Sequence, residues 1–345
     1  MVLLSGSPAF WYGPLPMNML PAKPRILVAR RVFPEVLERL RQHFEVDANQ
    51  DDVILGVAGL KARLADKAGA LTAATDPLTA EVIAAAPSLK AVCNFAVGYN
   101  NIDLAACTGA GVMATNTPGV LDDTTADLAW ALLMASARRL PAAERWLRDG
   151  NWKGWEFVQW LGTDVHHATL GILGMGRIGQ AVARRALGFE MQVIYHNRSR
   201  LATDREAACQ ARWVDKQTLL RESDFLLLLL PYSPATHHTV GATELALMKP
   251  TAHLINVARG SIVDDAALIA ALRARRLAGA GLDVFEGEPH FNRGFLELDN
   301  VVLTPHIGSS SRATRMAMAM RAADNLIAAL SGRRPPDLLN PDVRR

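Results

Sequence analysis

Short apolar runs alternate with amphipathic stretches along most of this chain, and the alternation begins at Pro24. Arg25 to Arg30 is a strand candidate. The next stretch opens at Pro34 and carries Val36, Leu37 and Leu40 at helical spacing, which predicts a helix. Short strands and helical stretches then follow in turn: Gly69 to Leu71, Thr79 to Ala86, Leu89 to Cys93 and Asn101 to Ala110. Such alternation implies βα units and a parallel sheet. Leu121 to Leu140 reads as one long helix, with Asp122 or Asp123 available to cap its start and Pro141 limiting its end. Gly150 to Gly162, which holds Trp152, Trp155 and Trp160, shows no period.

A second and clearer series follows. Its strand candidates are Ala168 to Leu173, Gln192 to His196, Asp224 to Leu230, His253 to Val257, Gly279 to Val284 and Asn300 to Leu303. The apolar run Phe225 to Leu230 is far short of the ~20 residues of a membrane helix. Ending at Pro231, it reads as a strand buried on both faces of a parallel sheet. After Pro305 the pattern is one helix, Arg312 to Leu330, closed by Gly332. A domain boundary is expected near Pro118, where the new series is prepared by the long helix. Residues 1–23 show no period and lack the basic start and cleavage pattern of a signal peptide, so they read as a poorly ordered extension.

Composition narrows the class. A length of 345 residues suggests two domains, because single cores rarely grow past about 250–300 residues. Half the residues are hydrophobic and the net charge is only +3. The arginine runs are short and scattered, which argues against a nucleic-acid partner. Nothing in the pattern calls for a membrane partner. The three cysteines, Cys93, Cys107 and Cys209, have no CxxC spacing and suit a reducing cytoplasm.

Candidate chemistry falls at strand ends. Gly174-Met175-Gly176-Arg177-Ile178-Gly179 follows one strand candidate and opens a helix. GxGxxG is weak alone; between strand and helix it signals a dinucleotide pyrophosphate held at a helix start. A site for NAD usually carries an acid after the second strand to bind the ribose 2′-hydroxyl. Here that place holds Asn197-Arg198-Ser199-Arg200, with no carboxylate before Asp204. Arg198 and Arg200 could pair with a 2′-phosphate, so the expected cofactor is NADPH, with NADH a weaker substitute.

Arg259, Glu288 and His306 each follow a strand candidate of the second series, on the same side as the glycine-rich turn. Ligands of doubly wound sheets sit beyond the carboxyl ends of the strands, so all four elements should face one crevice. Taken singly, such an arginine or histidine is an ordinary surface or loop residue. Together they suit reduction of a 2-oxo acid: Arg259 for the carboxylate, His306 as general acid, Glu288 to hold and charge the imidazole. The pairs His166-His167 and His237-His238 have no third ligand at metal-binding spacing, so no metal site is expected. No GxSxG nucleophile motif is present. Asp264-Asp265 reads as a cap for the helix that follows.

At this point the chain resembles the D-isomer-specific 2-hydroxyacid dehydrogenase family, from Pro24 to Val343. The resemblance rests on Val97 to Asp103, Leu170 to Gly179, Asn256 to Gly260, and Asp283 to Pro289 with Thr304 to Gly308. Gly150 to Leu161 and Asn197-Arg198-Ser199 resemble the glyoxylate, hydroxypyruvate and 2-ketogluconate reductase branch. The resemblance implies an α/β fold of two doubly wound parallel-sheet domains. A Rossmann cofactor domain, residues 119–304, would be inserted into a flavodoxin-like substrate domain, residues 24–118 and 305–345. It implies Arg259, Glu288 and His306 as the catalytic set, and backbone N–H groups of Val97 and Gly98 on the substrate carboxylate. Asp283 and Gly308 would lie near the nicotinamide, with Thr125, Pro231 and Val257 near other parts of the cofactor. It also implies a homodimer joined through the cofactor domains. Asn100, where many relatives carry Asp, and His167-Ala168, where many carry Gly-Lys, depart from the family pattern. An NAD-linked or phosphoglycerate dehydrogenase is the rival enzyme reading, and a dinucleotide-sensing, corepressor-like module the rival of another class.

Overall fold

Period-two alternation in the strands buries both faces of two sheets, and every strand pair in both is parallel. The computed structural model describes residues 22–344; the extension expected at the amino terminus lies outside them as far as residue 21. The first sheet is built by β1 (Arg25–Val28), α1 (Pro34–Arg41), β2 (Glu45–Ala48), α2 (Gly56–Leu64), β3 (Gly69–Thr72), α3 (Ala80–Ala84), β4 (Ala91–Asn94), α4 (Leu104–Gly109) and β5 (Met113–Thr115). Its strand order is β2-β1-β3-β4-β5, the flavodoxin-like order. Ile26 and Val28 point to one core; Leu27 and Ala29 point to the other.

Two helices lead into the second sheet, α5 (Asp122–Ala137) and α6 (Leu140–Arg148). They correct two expectations. Leu121 is the capping residue of α5 and makes no side-chain cap; Asp122 and Asp123 lie inside its first turn. There their charges favour the positive end of the helix. Pro141 does not end α5 but sits in the first turn of α6, after Arg139 breaks the helix in the left-handed region at φ 55.

The second sheet is built by β6 (Thr169–Leu173), α7 (Arg177–Ala186), β7 (Gln192–His196), α8 (Thr203–Cys209), β8 (Ala211–Trp213), α9 (Lys216–Glu222), β9 (Phe225–Leu228), α10 (Ala242–Leu245), β10 (His253–Asn256), α11 (Asp265–Arg273), β11 (Gly279–Leu282) and β12 (Val301–Leu303). Its order, β12-β11-β10-β9-β6-β7-β8, reverses direction between β6 and β9. Phe225 and Leu227 enter one core and Leu226 and Leu228 the other, which is why the run in β9 is apolar without interruption. Helix α12 (Arg312–Leu330) then returns to the first sheet, where Ala322, Ala323 and Leu326 complete its core. Among the described residues no helix is long and apolar enough to cross a membrane.

His253 ties these layers together. Its ring is 3% exposed, stacked on Phe225, with Ser136 Oγ of α5 2.8 Å from Nδ1 and Thr163 Oγ1 3.1 Å from Nε2. Burial pulls its pKa down to about 4. An unfolded histidine takes up its proton near pH 6.5, so between these values the unfolded chain binds more protons and stability is lost as the pH is lowered. The whole window is worth roughly 3 kcal/mol. The thermal midpoint of the protein should therefore fall more steeply from pH 7 to 4.5 than that of His253→Gln; parallel curves would reject this origin of acid sensitivity.

Candidate active site

The carboxyl ends of β6, β9, β10, β11 and β12 carry the glycine-rich turn, Pro231, Arg259, Glu288 and His306 respectively. Parallel strands put all these ends on one edge, and the reversal between β6 and β9 opens a crevice there. The carboxyl ends of β3 and β4, with the loops 73–76 and 95–101, come from the first sheet. The two sides touch: Arg259 Nε donates to Asn100 Oδ1 at 3.1 Å.

Close backbone contact fixes the Arg259 loop. A Cβ at Gly260 would lie 1.8 Å from the carbonyl carbon of Phe285 and 2.2 Å from the nitrogen of Glu286. Only glycine lets this loop press against the one that leads to Glu288. Arg259 Nη1 donates to its own loop at Ala258 O, 2.7 Å. Burial draws the guanidinium pKa below its usual value, and the Glu288 carboxylate works in the opposite direction. Across the crevice, a Cβ at Gly98 would fall 1.7 Å from Arg259 Nη2, so the guanidinium lies directly over the Gly98 backbone.

His306 and Glu288 form the expected pair, Nδ1 to Oε1 2.7 Å. His306 adopts φ 53, a left-handed conformation that few residues tolerate. Its N–H is held by Asp283 O at 2.9 Å and Thr304 O at 3.1 Å. Asp283, 1% exposed, accepts from Thr304 Oγ1, Ile307 N and Gly308 N at 2.7–2.8 Å. Burial still pushes its carboxyl pKa up, against those donors and the nearby imidazole.

The carbonyls of Val97 and Gly98 are each claimed by a buried asparagine. Asn116 Nδ2 donates to Val97 O at 2.8 Å and Asn94 Nδ2 to Gly98 O at 2.9 Å. Asn101 Nδ2 ties the same loop to Ala73 O and Asp76 O at 3.0 and 2.9 Å. The N–H groups of Val97 and Gly98 make no hydrogen bond among the described residues, which leaves them as donors for an anion. Sequence reasoning missed these asparagines, and Asn100 as a partner of Arg259. In sequence they are indistinguishable from turn formers; the local signal was the pair Asn100-Asn101 next to Val97 and Gly98, with Asn94 just before, and Asn116 gave none.

The glycine-rich turn fits a dinucleotide. Gly174 has φ 107, and a Cβ there would meet the Leu229 backbone at 2.7 Å. A Cβ at Gly176 would meet nothing within 4 Å, so the turn is open on the side a pyrophosphate would approach; Gly179 lies close under Gly174 O, 2.8 Å from its would-be Cβ. Ile178 packs against the core beside β6. Thr125 and Val257 are buried, and Thr125 Cγ2 lies 3.6 Å from a would-be Cβ of Gly308. Pro231 O accepts from Thr236 Oγ1 at 2.9 Å.

Three charged or polar residues behave otherwise than expected. Arg200 does not stand ready for a phosphate: Glu206 binds it through two bonds of 2.8 and 2.7 Å. Glu206, one turn into α8, also accepts from buried Tyr195 Oη, and these donors hold its carboxyl pKa down. Asn197 turns inward, accepting from Met175 N at 2.7 Å. Arg177 Nε lies 3.2 Å from Asp122 of α5. Arg198 and Ser199 are exposed, and Arg198 has no ion-pair partner among the described residues. Asp264 caps α11 as expected, accepting from Ala267 N at 3.0 Å. His237 and His238 do meet a third residue, Glu286, which is 48 positions away from His238 and invisible to a spacing argument.

Two parallel sheets meeting at one crevice, with a dinucleotide turn at the reversal point, define a dehydrogenase-type α/β protein. Residues 130–308 match the family model for the D-isomer specific 2-hydroxyacid dehydrogenase, NAD binding domain, and the chain belongs to that family. Among its relatives, glyoxylate reductase from Thermococcus onnurineus is 46% identical over 93% of this chain and 97% of its own length. Among solved structures, an NADPH-dependent glyoxylate/hydroxypyruvate reductase from Sinorhizobium meliloti, bound to NADP and malonate, superposes with a TM-score of 0.83 at 37% identity, covering 94% of this chain and 99% of that one. A glyoxylate reductase from Paecilomyes thermophila gives a TM-score of 0.83 at 33% identity, over 94% and 100%.

The Gly98 contact yields a test. In Gly98→Ala the new methyl must displace the Arg259 guanidinium from its place over the loop. Reductive turnover of a 2-oxo acid should lose about ten-fold or more in kcat/KM, mainly through KM, with the thermal midpoint little changed. Wild-type kinetics in that variant would show that the guanidinium is not needed where it lies.

Proposed function

We propose that this protein reduces small 2-oxo acids, glyoxylate and hydroxypyruvate first and 2-ketogluconate as a larger case, to D-2-hydroxy acids with NADPH. The observation that carries the reading is the convergence of Arg259, the His306–Glu288 pair and the free N–H groups of Val97 and Gly98 on one crevice. The glyoxylate reductase names of its relatives support the substrate class.

In this reading residues 119–304 form the cofactor domain, and residues 24–118 with 305–345 the substrate domain. The dinucleotide, when bound, supplies the hydride. Gly174, Gly176, Gly179, Arg177 and Ile178 would hold its pyrophosphate; Asp283 and Gly308 would lie near its nicotinamide, and Thr125, Pro231 and Val257 near other parts of it; Asn197, Arg198 and Ser199 would border its adenosine ribose. Arg259 and the N–H groups of Val97 and Gly98 bind the substrate carboxylate from opposite walls. As the carbonyl carbon accepts hydride, its oxygen gains negative charge and takes a proton from His306 Nε2. Glu288 holds Nδ1 and stabilises the imidazolium before the transfer. Exposed Trp152, Trp155, Phe157, Val158 and Leu161, all more than half accessible, support a homodimer in which the stretch 152–161 is covered. Three buried free thiols suit a reducing compartment such as the cytoplasm.

The direct experiment is oxidation of NADPH and of NADH with a panel of 2-oxo acids and matching aldehydes. His306→Ala should lower turnover by ~10²–10⁴-fold while the dinucleotide still binds. No turnover of any 2-oxo acid by the wild-type protein would instead favour a dinucleotide-binding interaction module.

Cofactor choice rests on Arg198 alone, because Glu206 already neutralises Arg200. Arg198→Ala should raise the KM for NADPH by about ten-fold or more and leave that for NADH nearly unchanged. Equal effects on both cofactors, or a wild-type preference for NADH, would transfer the protein to the NAD-linked dehydrogenases.

A further inference from the structure

Glu286 stands two residues before Glu288, yet its side chain takes no part in the chemistry above. It faces the loop that follows β9. There His238 Nε2 lies 3.1 Å from each of its carboxylate oxygens. His237 stacks on His238 with ring centroids 3.8 Å apart and planes 19° off parallel. Neighbouring side chains on an extended backbone point apart. These two share a side because His238 adopts the left-handed conformation, φ 48. One ligand atom from each of His237, His238 and Glu286 lies within 4.8 Å of the others.

We infer that His237, His238 and Glu286 form a binding site for a divalent ion of the zinc class. Two imidazole nitrogens and one carboxylate oxygen are the donors that borderline ions such as Zn²⁺ and Co²⁺ prefer. Donors at Zn–N and Zn–O distances of about 2.0–2.2 Å stand roughly 3.3–3.5 Å from each other around a tetrahedral ion. The His238–Glu286 separation of 3.1 Å is already of that size. What remains is for His237 to turn. Stacked rings point their lone pairs side by side, whereas ligation needs them to converge. His237 is exposed, and its Nδ1 has only a long, 3.5 Å contact with Tyr232 Oη, so this rotation meets little resistance. The half-exposed setting of the other two leaves the outer coordination positions to water.

The anchoring of the donors supports capture without refolding. His238 N–H donates to Ser261 O at 2.9 Å. Glu286 N–H donates to the buried Asp265 Oδ2 at 3.2 Å. His238 is thus fixed through its own backbone to the loop that follows Arg259, and Glu286 through its own to the first residue of α11. Bound there, the ion would join the loop after β9 to the loop after β11. Magnesium and calcium, which require oxygen donors, are not expected to compete. The other histidine pair lacks this arrangement: His166 and His167 meet edge-on, 5.1 Å between centroids, and His167 pairs only with exposed Glu190.

The test is calorimetric titration of the full, tag-free protein with zinc chloride, followed by cobalt(II) absorption. The readout is binding alone, so it does not depend on the reductase reading. One equivalent should bind with a Kd of about 10 μM or tighter. His237→Ala, His238→Ala and Glu286→Gln should each weaken it by about ten-fold or more. His166→Ala/His167→Ala should leave it unchanged, and excess magnesium should not displace it. Should His238→Ala unfold, His237→Ala decides, because that side chain is exposed and outside the core. Binding weaker than about 1 mM would overturn the site and leave His238 and Glu286 as a plain ion pair. Tight binding that survives all three substitutions would place the ion elsewhere and overturn it equally.

Discussion

A guanidinium lying between two sheets must find its compensation on both of them. Arg259 has lost enough water for its pKa to fall, and its stabilising groups are divided: Ala258 O and the Glu288 charge on one side, Asn100 Oδ1 on the other. Unpaired burial of such a charge would cost several kcal/mol. The crevice is therefore not an incidental gap between two folded units. Gly98 leaves room for the guanidinium and Asn100 accepts from it, while Gly260 lets the arginine's own loop press against the Phe285 and Glu286 backbone. Asn100 also offers a neutral acceptor where a carboxylate would cancel the charge. In the proposed reading the cation is thereby left for an anion arriving between the walls.

The same constraint explains what could be read in the sequence. The cores were legible because each parallel strand is buried on both faces, so β9 is written as an unbroken apolar run and α12 as a nineteen-residue pattern with its own ends. Arg259, Glu288 and His306 were legible because strand ends of a parallel sheet share an edge. The short strands β2, β5 and β8 were not. β2 and β8 are half-exposed, with sequences EVDA and ARW, and β5 has only three residues. A strand at an edge needs no continuous apolar face, so periodicity has nothing to report. Pro141 misled for a related reason. A proline is compatible with the end of one helix and the first turn of the next, and only the left-handed Arg139 decides between them.

Side-chain competition was the other thing the sequence could not express. Arg198 and Arg200 look equivalent in a basic turn. In three dimensions α8 brings Glu206 under one of them, and buried Tyr195 fixes that carboxylate from below. Two charge-assisted bonds in fork geometry engage Arg200 with Glu206 and leave Arg198 as the arginine of the turn without an ion-pair partner among the described residues. The acid absent from the end of β7 thus reappears nine residues later than Asn197, turned on a neighbour instead of a ribose. Residue type at a motif position states what a side chain can bind; its partners determine whether it is still free to do so.

Asp283 extends that argument to the chemistry itself. A carboxylate at the end of a strand in a dinucleotide fold invites a ligand-binding role, yet this one is fully enclosed and already accepts three hydrogen bonds. Two of them come from backbone N–H groups at Ile307 and Gly308, immediately after His306. Its own backbone carbonyl accepts the His306 N–H. The effect is to fold residues 304–308 around one buried anion and to hold His306 at φ 53, where its ring reaches Glu288. The cost of a left-handed histidine and a buried carboxylate is offset by these same bonds. In the proposed reaction Asp283 would therefore act through the imidazole's position, with the Gly308 N–H committed to the same carboxylate.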